Sequence, residues 1–321
     1  MKTDLVSVSE RGKIVAVPCV TIMGRTVIVN GSWIRMAMVH DELYLKGQSV
    51  ADPDSFVALL KKSSLKADIF SFSQALPDIT PKHKYSMVFD NHAVIPITTF
   101  EQWWNALSQD SRRNVRIAAK RGVTVRSVNY DDAFVAGIKG IYDETPVRQG
   151  RPFWHFNKPF ESVKQENATY LGQSEFIGAY LGDELAGFIK MVYVGTYAHI
   201  MQILSKDKYF DLRVSNALIA KAVGICSERG KQSLLYCKYT YEKKANSSIT
   251  EFKRRTGFVE VVYPRYFVPL TVKGKFAIKT GLHLGVKSML PQKVVNVLLK
   301  LRERYYQSTG AVSTKECKFG C

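Results

Sequence analysis

Apolar and polar positions alternate most regularly between residues 175 and 270. The segment 175–194 alternates on both sides of Gly182 and Asp183, which predicts two strands joined by a tight hairpin turn. The pattern after it predicts alternating strands and helices, namely a strand over 196–205, a helix over 214–230, a strand over 233–239, a helix over 247–257 and a strand over 258–270. This region therefore predicts a mixed α/β domain.

The segments on either side of this region have different patterns. Before residue 98, β-branched runs broken by glycines predict a β-rich subdomain, with one short amphipathic helix after Pro53. A helical pattern begins at Thr99 and ends near Gly122, with an interruption expected between Ser108 and Ser111. After residue 270 the chain is basic and amphipathic, and its last residues have the composition of a disordered tail. We therefore predict a β-rich N-terminal subdomain (1–98), a central domain (99–270) and a basic C-terminal extension (271–321).

Basic residues outnumber acidic residues by 46 to 28, which gives a formal net charge of +18. Such an excess favours polyanionic partners, which are nucleic acid, an anionic membrane surface or a phosphate-bearing substrate. The segment 271–306 is the part that we expect to contact an anionic membrane, because it is both basic and amphipathic. The sequence contains no recognition motif for DNA and no P-loop, so we predict no DNA partner.

The five cysteines have neither the spacing of a zinc site nor that of a disulfide framework, so we predict no bound metal. The first residues are polar, and no apolar run reaches the ~18 residues that span a bilayer. We therefore expect a cytoplasmic protein that lies at the inner face of the membrane through its basic extension. Hydrophobic residues make up 46% of the chain, which is enough for a large core and excludes wholesale disorder.

The segment 145–159 combines unlike residue types, because it contains three prolines, two arginines, a histidine and three aromatic residues. One interpretation is a substrate-binding loop, since an arginine fork suits a phosphate or carboxylate group. The other interpretation is a packed connector that Phe153 and Trp154 anchor. Under the first interpretation, the candidate contacts to an acceptor substrate are Arg148, Gln149, Arg151 and His155.

The segment FIGAYLGDELAGFIKM, with the strand and helix after it, resembles the acyltransferase core of the GNAT superfamily. The segment EFKRRTGFVEVVYPRYFVP resembles the closing element of that core. The resemblance implies a GNAT-like acyl-CoA N-acyltransferase fold, in which helices flank a central, mixed, mostly antiparallel sheet. In this superfamily the third strand and the strand after the helix separate, and the acyl-carrying arm of the donor lies between them. The N-terminus of the helix binds the pyrophosphate of coenzyme A.

Other segments resemble Fem-type aminoacyltransferases, which build peptidoglycan bridges on a GNAT-like scaffold. The segment WWNALSQDSRRNVRIAAKRGVTVR resembles the beginning of that scaffold. The segments ADIFSFSQALPD, ETPVRQGRPFWHF and YEKKANSSITEFKRRTGF are similar to bacterial Fem-like acetyltransferases. The resemblance covers roughly residues 65–270. Because only about 100 residues precede the helix of Trp103, it also implies that the N-terminal subdomain is a reduced GNAT-like half.

The resemblance implies roles for residues around the third strand and the two helices after it. The implied contacts to the donor are Ile203, Leu204, Ser205, Arg213, Val214, Ser215, Asn216, Lys243 and Lys244. The candidate groups for proton transfer, or for holding a water molecule, are His199, Gln202, Tyr239 and Tyr241. The donor segment 205–219 contains no glycine, whereas the superfamily uses glycines there to bring bare backbone close to phosphates.

Three hypotheses for function follow. The first is an N-acyltransferase that moves an acyl group, with acetyl-CoA or another acyl-CoA as donor, to an amine on a cell-envelope or surface-polysaccharide precursor. Such an acceptor is a phosphate-bearing small molecule or a lipid-linked one. The second is Fem-type transfer from aminoacyl-tRNA, which the high positive charge and the glycine-free donor segment favour. The third is a GNAT-like protein that binds RNA or membrane without catalysing transfer.

Overall fold

The computed structural model describes residues 3–10, 13–148, 151–241 and 247–285. Contacts divide the described residues into an N-terminal unit, which contains residues up to Asn91 and Val262–Gly285, and a central unit, His92–Val261. The domain boundaries at 98 and 270 stay a prediction, and the contact-based division differs from them because the chain returns to the N-terminal unit within its last strand. The predicted basic extension is described as far as Gly285, and the rest of it lies outside the described residues.

The sheet of the N-terminal unit consists of β1 (Asp4–Glu10), β2 (Lys13–Ile22), β3 (Arg25–Asn30), β4 (Met36–Val39), β5 (Ile69–Ser73) and the end of β14 (Val259–Pro269). These strands pair in that order and are antiparallel, except that β4 and β5 are parallel. The first part of β6 (Ser86–Pro96), up to Asn91, also belongs to this unit. Helix α1 (Pro53–Lys62) begins at Asp52, whose carboxylate accepts a hydrogen bond from the Ser55 amide at 3.2 Å. It packs Phe56 and Leu60 into the apolar core of this unit.

The last described elements of the N-terminal unit are α8 (Val272–Lys279) and a short 3-10 helix, Leu282–Leu284. Both belong to the segment for which the sequence predicts a basic amphipathic extension. Across the part of the chain that the structure describes, no helix combines the length and the apolar character needed to span a bilayer.

The sheet of the central unit consists of β6 (Ser86–Pro96, from His92), β13 (Ser233–Leu235), β12 (Tyr197–Ser205), β11 (Glu184–Val194), β10 (Ser174–Leu181) and β7 (Val123–Val128), in that order. All neighbours are antiparallel except β12 and β13, which are parallel. The predicted hairpin is present as β10 and β11, and Gly182 in its turn has a φ of +59°. The mixed, mostly antiparallel sheet is therefore confirmed.

Helices cover both faces of the central sheet: α2 (Phe100–Ala106), α3 (Gln109–Lys120), α4 (Asp132–Tyr142), α5 (Phe160–Asn167), α6 (Val214–Glu228) and α7 (Ser248–Arg255). Side chains alternate between the two faces along a strand. Ile177 and Ile189 therefore pack into the core that α6 covers, whereas Phe176 and Phe188 pack into the core that α4 covers. A two-stranded ribbon, β8 (Val147–Arg148) and β9 (Arg151–Pro152), lies between α4 and α5.

Two local predictions can be compared with the structure. The helical pattern that begins at Thr99 is interrupted where expected, because Ser108 starts a second helix by accepting a hydrogen bond from the Ser111 amide at 3.2 Å. The predicted strand over 233–239 ends at Leu235. The prediction was wrong for its second half, because Cys237 has a φ of +43° and turns the backbone out of the extended conformation.

Candidate active site

The central sheet opens along one edge of β12. Strand β13 pairs with β12 only from Tyr197 to His199, while β12 continues to Ser205. The side chains of β12 are buried at Ala198, His199 and Ile200 but half-buried from 201 to 205. Within the described residues, the last part of β12 therefore has a strand partner on one side only, which is β11. The predicted donor contacts Ile203, Leu204 and Ser205 lie on this part, which pairs with β11 but not with β13.

The N-terminus of α6 lies at the end of the opening. The Ser205 and Ser215 hydroxyl groups are 3.2 Å apart, which places the first turn of α6 beside the end of β12. Gly187 permits this approach, because an added Cβ there would lie 2.7 Å from Cγ1 of Val214 and 2.9 Å from the carbonyl oxygen of Leu204. Arg213, which precedes the helix, has a φ of +58° and forms no side-chain cap. The predicted donor contacts Val214, Ser215 and Asn216 form the first turn, so their amides point toward the helix N-terminus.

The loop between β12 and α6 already holds an anion of the chain itself. The Glu144 carboxylate accepts hydrogen bonds from the backbone amides of Asp207 at 2.6 Å and Lys208 at 3.0 Å. It also accepts one from the Arg148 guanidinium at 3.0 Å. A phosphate group bound by this loop would compete with Glu144 for the same two amides.

The lysines of this loop are also paired within the chain. Glu184 lies 2.5 Å from the Lys206 ammonium and 2.8 Å from that of Lys208, and the Tyr209 hydroxyl donates to it. These hydrogen bonds, the one from Lys206 foremost, lower the pKa of Glu184 to about 2. The positive charge of both lysines is thus partly neutralised before any ligand binds.

The ion pairs of Glu184 predict a defined loss of stability in acid. Its contribution to the free energy of unfolding is complete above the usual glutamate pKa of 4.5 and is lost as the pH falls toward about 2. We expect Glu184→Gln to unfold with a shallower pH dependence in this window, measured by urea titration at several pH values. Glu228→Gln, at the exposed end of α6, controls for the loss of one carboxylate; an equal change in that variant would contradict the assignment.

The candidate acceptor contacts lie on the face of the sheet that α4 and α5 cover. Arg148 packs over the ring of Phe153, 5.0 Å from its centroid, and pairs with Glu144. Arg151 is exposed on β9, and its backbone pairs with that of Arg148. The His155 ring lies 4.5 Å from that of Tyr142. Gln149 lies outside the described residues. The segment 145–159 thus contains both a packed connector and exposed polar groups.

A buried polar network connects this segment to β12. The Gln202 amide and the Tyr142 hydroxyl form a hydrogen bond of 2.8 Å, and the Asn167 amide donates to the same hydroxyl at 3.3 Å. Lys190, which pairs with Gln202 across the sheet, donates to the carbonyl of Asn167 at 2.8 Å and to the hydroxyl of Thr169 at 2.7 Å. The network therefore fixes Gln202 beside the opening.

Burial sets the protonation of this network. It raises the pKa of Tyr142 to about 12 and lowers that of Lys190 to about 8. Sequence reasoning missed both residues. The available signal was a lysine in the middle of the apolar run of β11, because such a residue is rarely fully buried without a specific partner.

His199 lies at the closed end of the opening and is fully buried. Its ring centroid is 6.3 Å from that of His92 on β6, and the His92 ring is 3.4 Å from the carbonyl oxygen of Cys237. Burial, together with the neighbouring His92, lowers the pKa of His199 to about 3. His199 is therefore neutral near pH 7, and its buried ring is a weak acceptor for a proton from an amine.

The two candidate tyrosines follow β13, on the other side of the opening. Lys253 of α7 is buried and donates a hydrogen bond to the carbonyl of Lys238. Its ammonium lies 4.9 Å from the ring centroid of Tyr241 and 4.6 Å from that of Tyr236. Tyr239 packs against the core that α6 covers. Lys253 thus orders the segment that carries both candidates. Lys243 and Lys244 lie outside the described residues.

No family model matches the sequence, and a search of curated proteins finds no significant match. Several solved structures are similar. The crystal structure of FemX has a TM-score of 0.55 at 11% identity, over 83% of this chain and 88% of that one. L-PGS from Bacillus licheniformis has a TM-score of 0.50 at 12% identity, over 83% and 88%. A DUF2156 domain from Agrobacterium fabrum has a TM-score of 0.50 at 12% identity, over 82% and 88%.

At these identities the comparisons describe the fold. The chain shares its mixed α/β fold with these structures, in agreement with the fold class that the sequence resemblance implied. In the described part of the chain, no group of three or more histidine, cysteine, aspartate or glutamate side chains is arranged to hold a metal ion.

Proposed function

We propose that this protein is an N-acyltransferase whose acyl donor lies between β12 and β13. The observation that carries the proposal is the loss of pairing between these strands after His199, with the N-terminus of α6 beside the end of β12. In a GNAT-like fold this opening is the place for an activated acyl group. Transfer needs no covalent enzyme intermediate, because holding the amine and the carbonyl carbon together supplies much of the rate.

The chemistry is a direct substitution at the acyl carbon. The nitrogen lone pair of the acceptor attacks the carbonyl carbon, a C–N bond forms, and the bond to the leaving sulfur or oxygen breaks. The amine loses one proton and the leaving group gains one. We assign to Gln202, which hydrogen-bonds to Tyr142, the role of holding either the amine or a water molecule that accepts the proton of the amine. Tyr239 and Tyr241 are the candidates for protonating the leaving group.

For the acceptor, we propose an amine on an anionic cell-envelope or surface-polysaccharide precursor. The face of the sheet that carries Gln202 also carries the segment 145–159, with the exposed guanidinium of Arg151. The net charge of +18 supports a phosphate-bearing acceptor, whether a small molecule or a lipid-linked one.

Two donors are candidates for the opening. Acetyl-CoA would place its pyrophosphate at the first turn of α6, where amides and the helix dipole favour anions. Aminoacyl-tRNA is the second candidate, and the loop after β12 favours it: Glu144 occupies two loop amides, and Glu184 neutralises two loop lysines. A tRNA would instead draw its affinity from many phosphates spread over the basic surface.

The first experiment is thermal unfolding of the full chain with excess acetyl-CoA. A donor at about 100 times its Kd adds roughly 2.7 kcal/mol to the free energy of unfolding, which raises the Tm by a few degrees. We expect Asn216→Asp to abolish most of this rise, because it adds a negative charge to the first turn of α6 with almost no change of shape. The same charge stabilises the free helix by about 0.3–1 kcal/mol, so the variant should fold.

Gln109→Glu makes the same chemical change in the first turn of α3 and is the matched control. If acetyl-CoA raised the Tm of Asn216→Asp as much as that of the wild type, the donor would not bind at the first turn of α6. No rise with acetyl-CoA, together with transfer of a labelled amino acid from charged tRNA, would select the second donor. Absence of transfer from either donor would support the reading that this fold binds RNA or membrane without catalysis.

A further inference from the structure

Helix α8 is fixed to the N-terminal unit by its buried face. The Thr271 hydroxyl accepts a hydrogen bond from the Gly274 amide and donates one to Asp68, both at 3.0 Å. Gly274 approaches Asp68 so closely that an added Cβ would lie 1.9 Å from its carbonyl oxygen. Ala277 packs in a core cluster with Ile69. Because these contacts fix the rotation of α8 about its axis, they also determine which residues form its opposite face.

The opposite face of α8 is exposed, and it is apolar as well as basic. Val272, Lys275, Phe276 and Lys279 follow one another at the i, i+3, i+4 and i+7 positions, so they share one side of the helix. Val272 is 87% exposed and Phe276 is 60% exposed. Large apolar side chains grouped in this way on a surface mark an interaction site rather than scattered exposure.

Trp33, from the turn between β3 and β4, lies beside this helix. Its indole is 62% exposed, and the Lys273 ammonium lies 5.6 Å from the ring centroid and donates to the Trp33 carbonyl. We name the exposed set the α8 patch; its members are Trp33, Val272, Lys275, Phe276 and Lys279. The structure thus brings an aromatic residue that is distant in sequence to the edge of the basic helix.

The charges of the α8 patch identify its partner. No acidic residue occurs from 271 to 285, and in the described part of the chain neither Lys275 nor Lys279 forms an ion pair. A second copy docked symmetrically on this patch would bring lysines against lysines. A nucleic acid would use the lysines but leave Val272 and Phe276 in water. An anionic bilayer satisfies both, because its phosphates meet the lysines and its acyl boundary takes the apolar side chains.

We propose that the α8 patch binds the surface of an anionic phospholipid bilayer. Trp33, Val272 and Phe276 enter the boundary between headgroups and acyl chains, and Lys275 and Lys279 lie at the lipid phosphates with their stems along the apolar surface. The proposal concerns the N-terminal unit and does not depend on the reaction proposed for the central unit.

The test is co-sedimentation of the full chain with vesicles of phosphatidylcholine containing about 30% phosphatidylglycerol. We expect the double variant Trp33→Ala/Phe276→Ala to lower the partition coefficient about tenfold or more, because it removes two interfacial aromatic groups. We expect Lys275→Ala/Lys279→Ala to lower it too, by roughly fivefold for each lysine, with a weaker salt dependence. All four side chains are exposed, so both variants should fold.

Phe89→Ala is the matched control, because Phe89 is a 57% exposed phenylalanine of the same unit. Its neighbour Val88 packs toward α8, so Phe89 projects from the opposite face of β6. Unchanged partition in both α8 patch variants would overturn the proposal, even if other basic residues bind the vesicles. A change in sedimentation of the free protein, without a change in vesicle binding, would overturn it in favour of self-association. Loss of RNA binding alone would overturn it in favour of a nucleic acid.

Discussion

Replacing Lys190 with methionine is expected to remove a rise in stability that the wild-type protein shows between about pH 8 and pH 10.5. Burial lowers the pKa of Lys190 from 10.5 to about 8 in the folded state. Below pH 8 the folded protein carries the full free energy cost of burying a charged ammonium group. Above pH 8 the folded protein loses this proton, whereas the unfolded chain keeps it up to about pH 10.5. The free energy of unfolding therefore increases with pH, by about 3 kcal/mol over the window.

The measurement is urea unfolding of both proteins across this range, and the prediction concerns the difference between them. Taking the difference removes the contributions that tyrosines and cysteines titrating in the same range make to the free energy of unfolding of both proteins. The lost hydrogen bonds to Asn167 and Thr169 shift the variant by a constant amount and leave the slope untouched. Lys164→Met is the control, because an exposed ion pair with Asp132 raises the pKa of Lys164. Parallel curves for wild type and Lys190→Met would show that Lys190 is not buried as described.

Replacing Gly187 with alanine is expected to lower the rate of acyl transfer about a hundredfold. The new methyl group would lie 2.7 Å from Val214 and 2.9 Å from the carbonyl oxygen of Leu204, so the end of β12 and the start of α6 must move apart. A displacement near 1 Å at a site that works by positioning has an effect of this size. We also expect a loss of about 1–3 kcal/mol in the free energy of unfolding.

Gly172→Ala is the matched control, because an added Cβ at Gly172 meets no atom within 4 Å. Transfer is measured with the donor that the binding experiment selects, at a temperature where both variants are folded. Full activity in folded Gly187→Ala would show that the N-terminus of α6 does not take part in the reaction. That result would contradict the proposed donor position but not the fold.

The regular part of the chain was predictable because its local patterns agree with its packing. The hairpin around Gly182, the strand before Ser205 and the helix after Arg213 form where the sequence pattern predicts them, and the hairpin strands are buried on both faces, under α6 and under α4. The strand over 233–239 was predicted too long. Its apolar residues continue past Leu235, but the backbone of Cys237 is left-handed and turns the chain out of the strand. A cysteine gives no sequence signal for this conformation.

The candidate site was less predictable, since its geometry depends on residues far apart in sequence. Lys206 and Lys208 lie in the loop that the resemblance assigns to the donor, but Glu144 and Glu184 come from elements that no local pattern connects to it. Gln202 was selected for its place on β12. Its partner Tyr142, sixty positions earlier, is indistinguishable in the sequence from any aromatic residue of an amphipathic helix.

The contacts of Glu144 have a thermodynamic consequence. Two loop amides and the Arg148 guanidinium are already satisfied by this carboxylate, so the loop after β12 is ordered in the free protein. A donor that enters the opening then meets a preorganised surface, and association carries no entropy cost for folding the loop. The heat capacity change of donor binding is accordingly expected to reflect the apolar and polar surface that the donor covers, without a contribution from coupled folding.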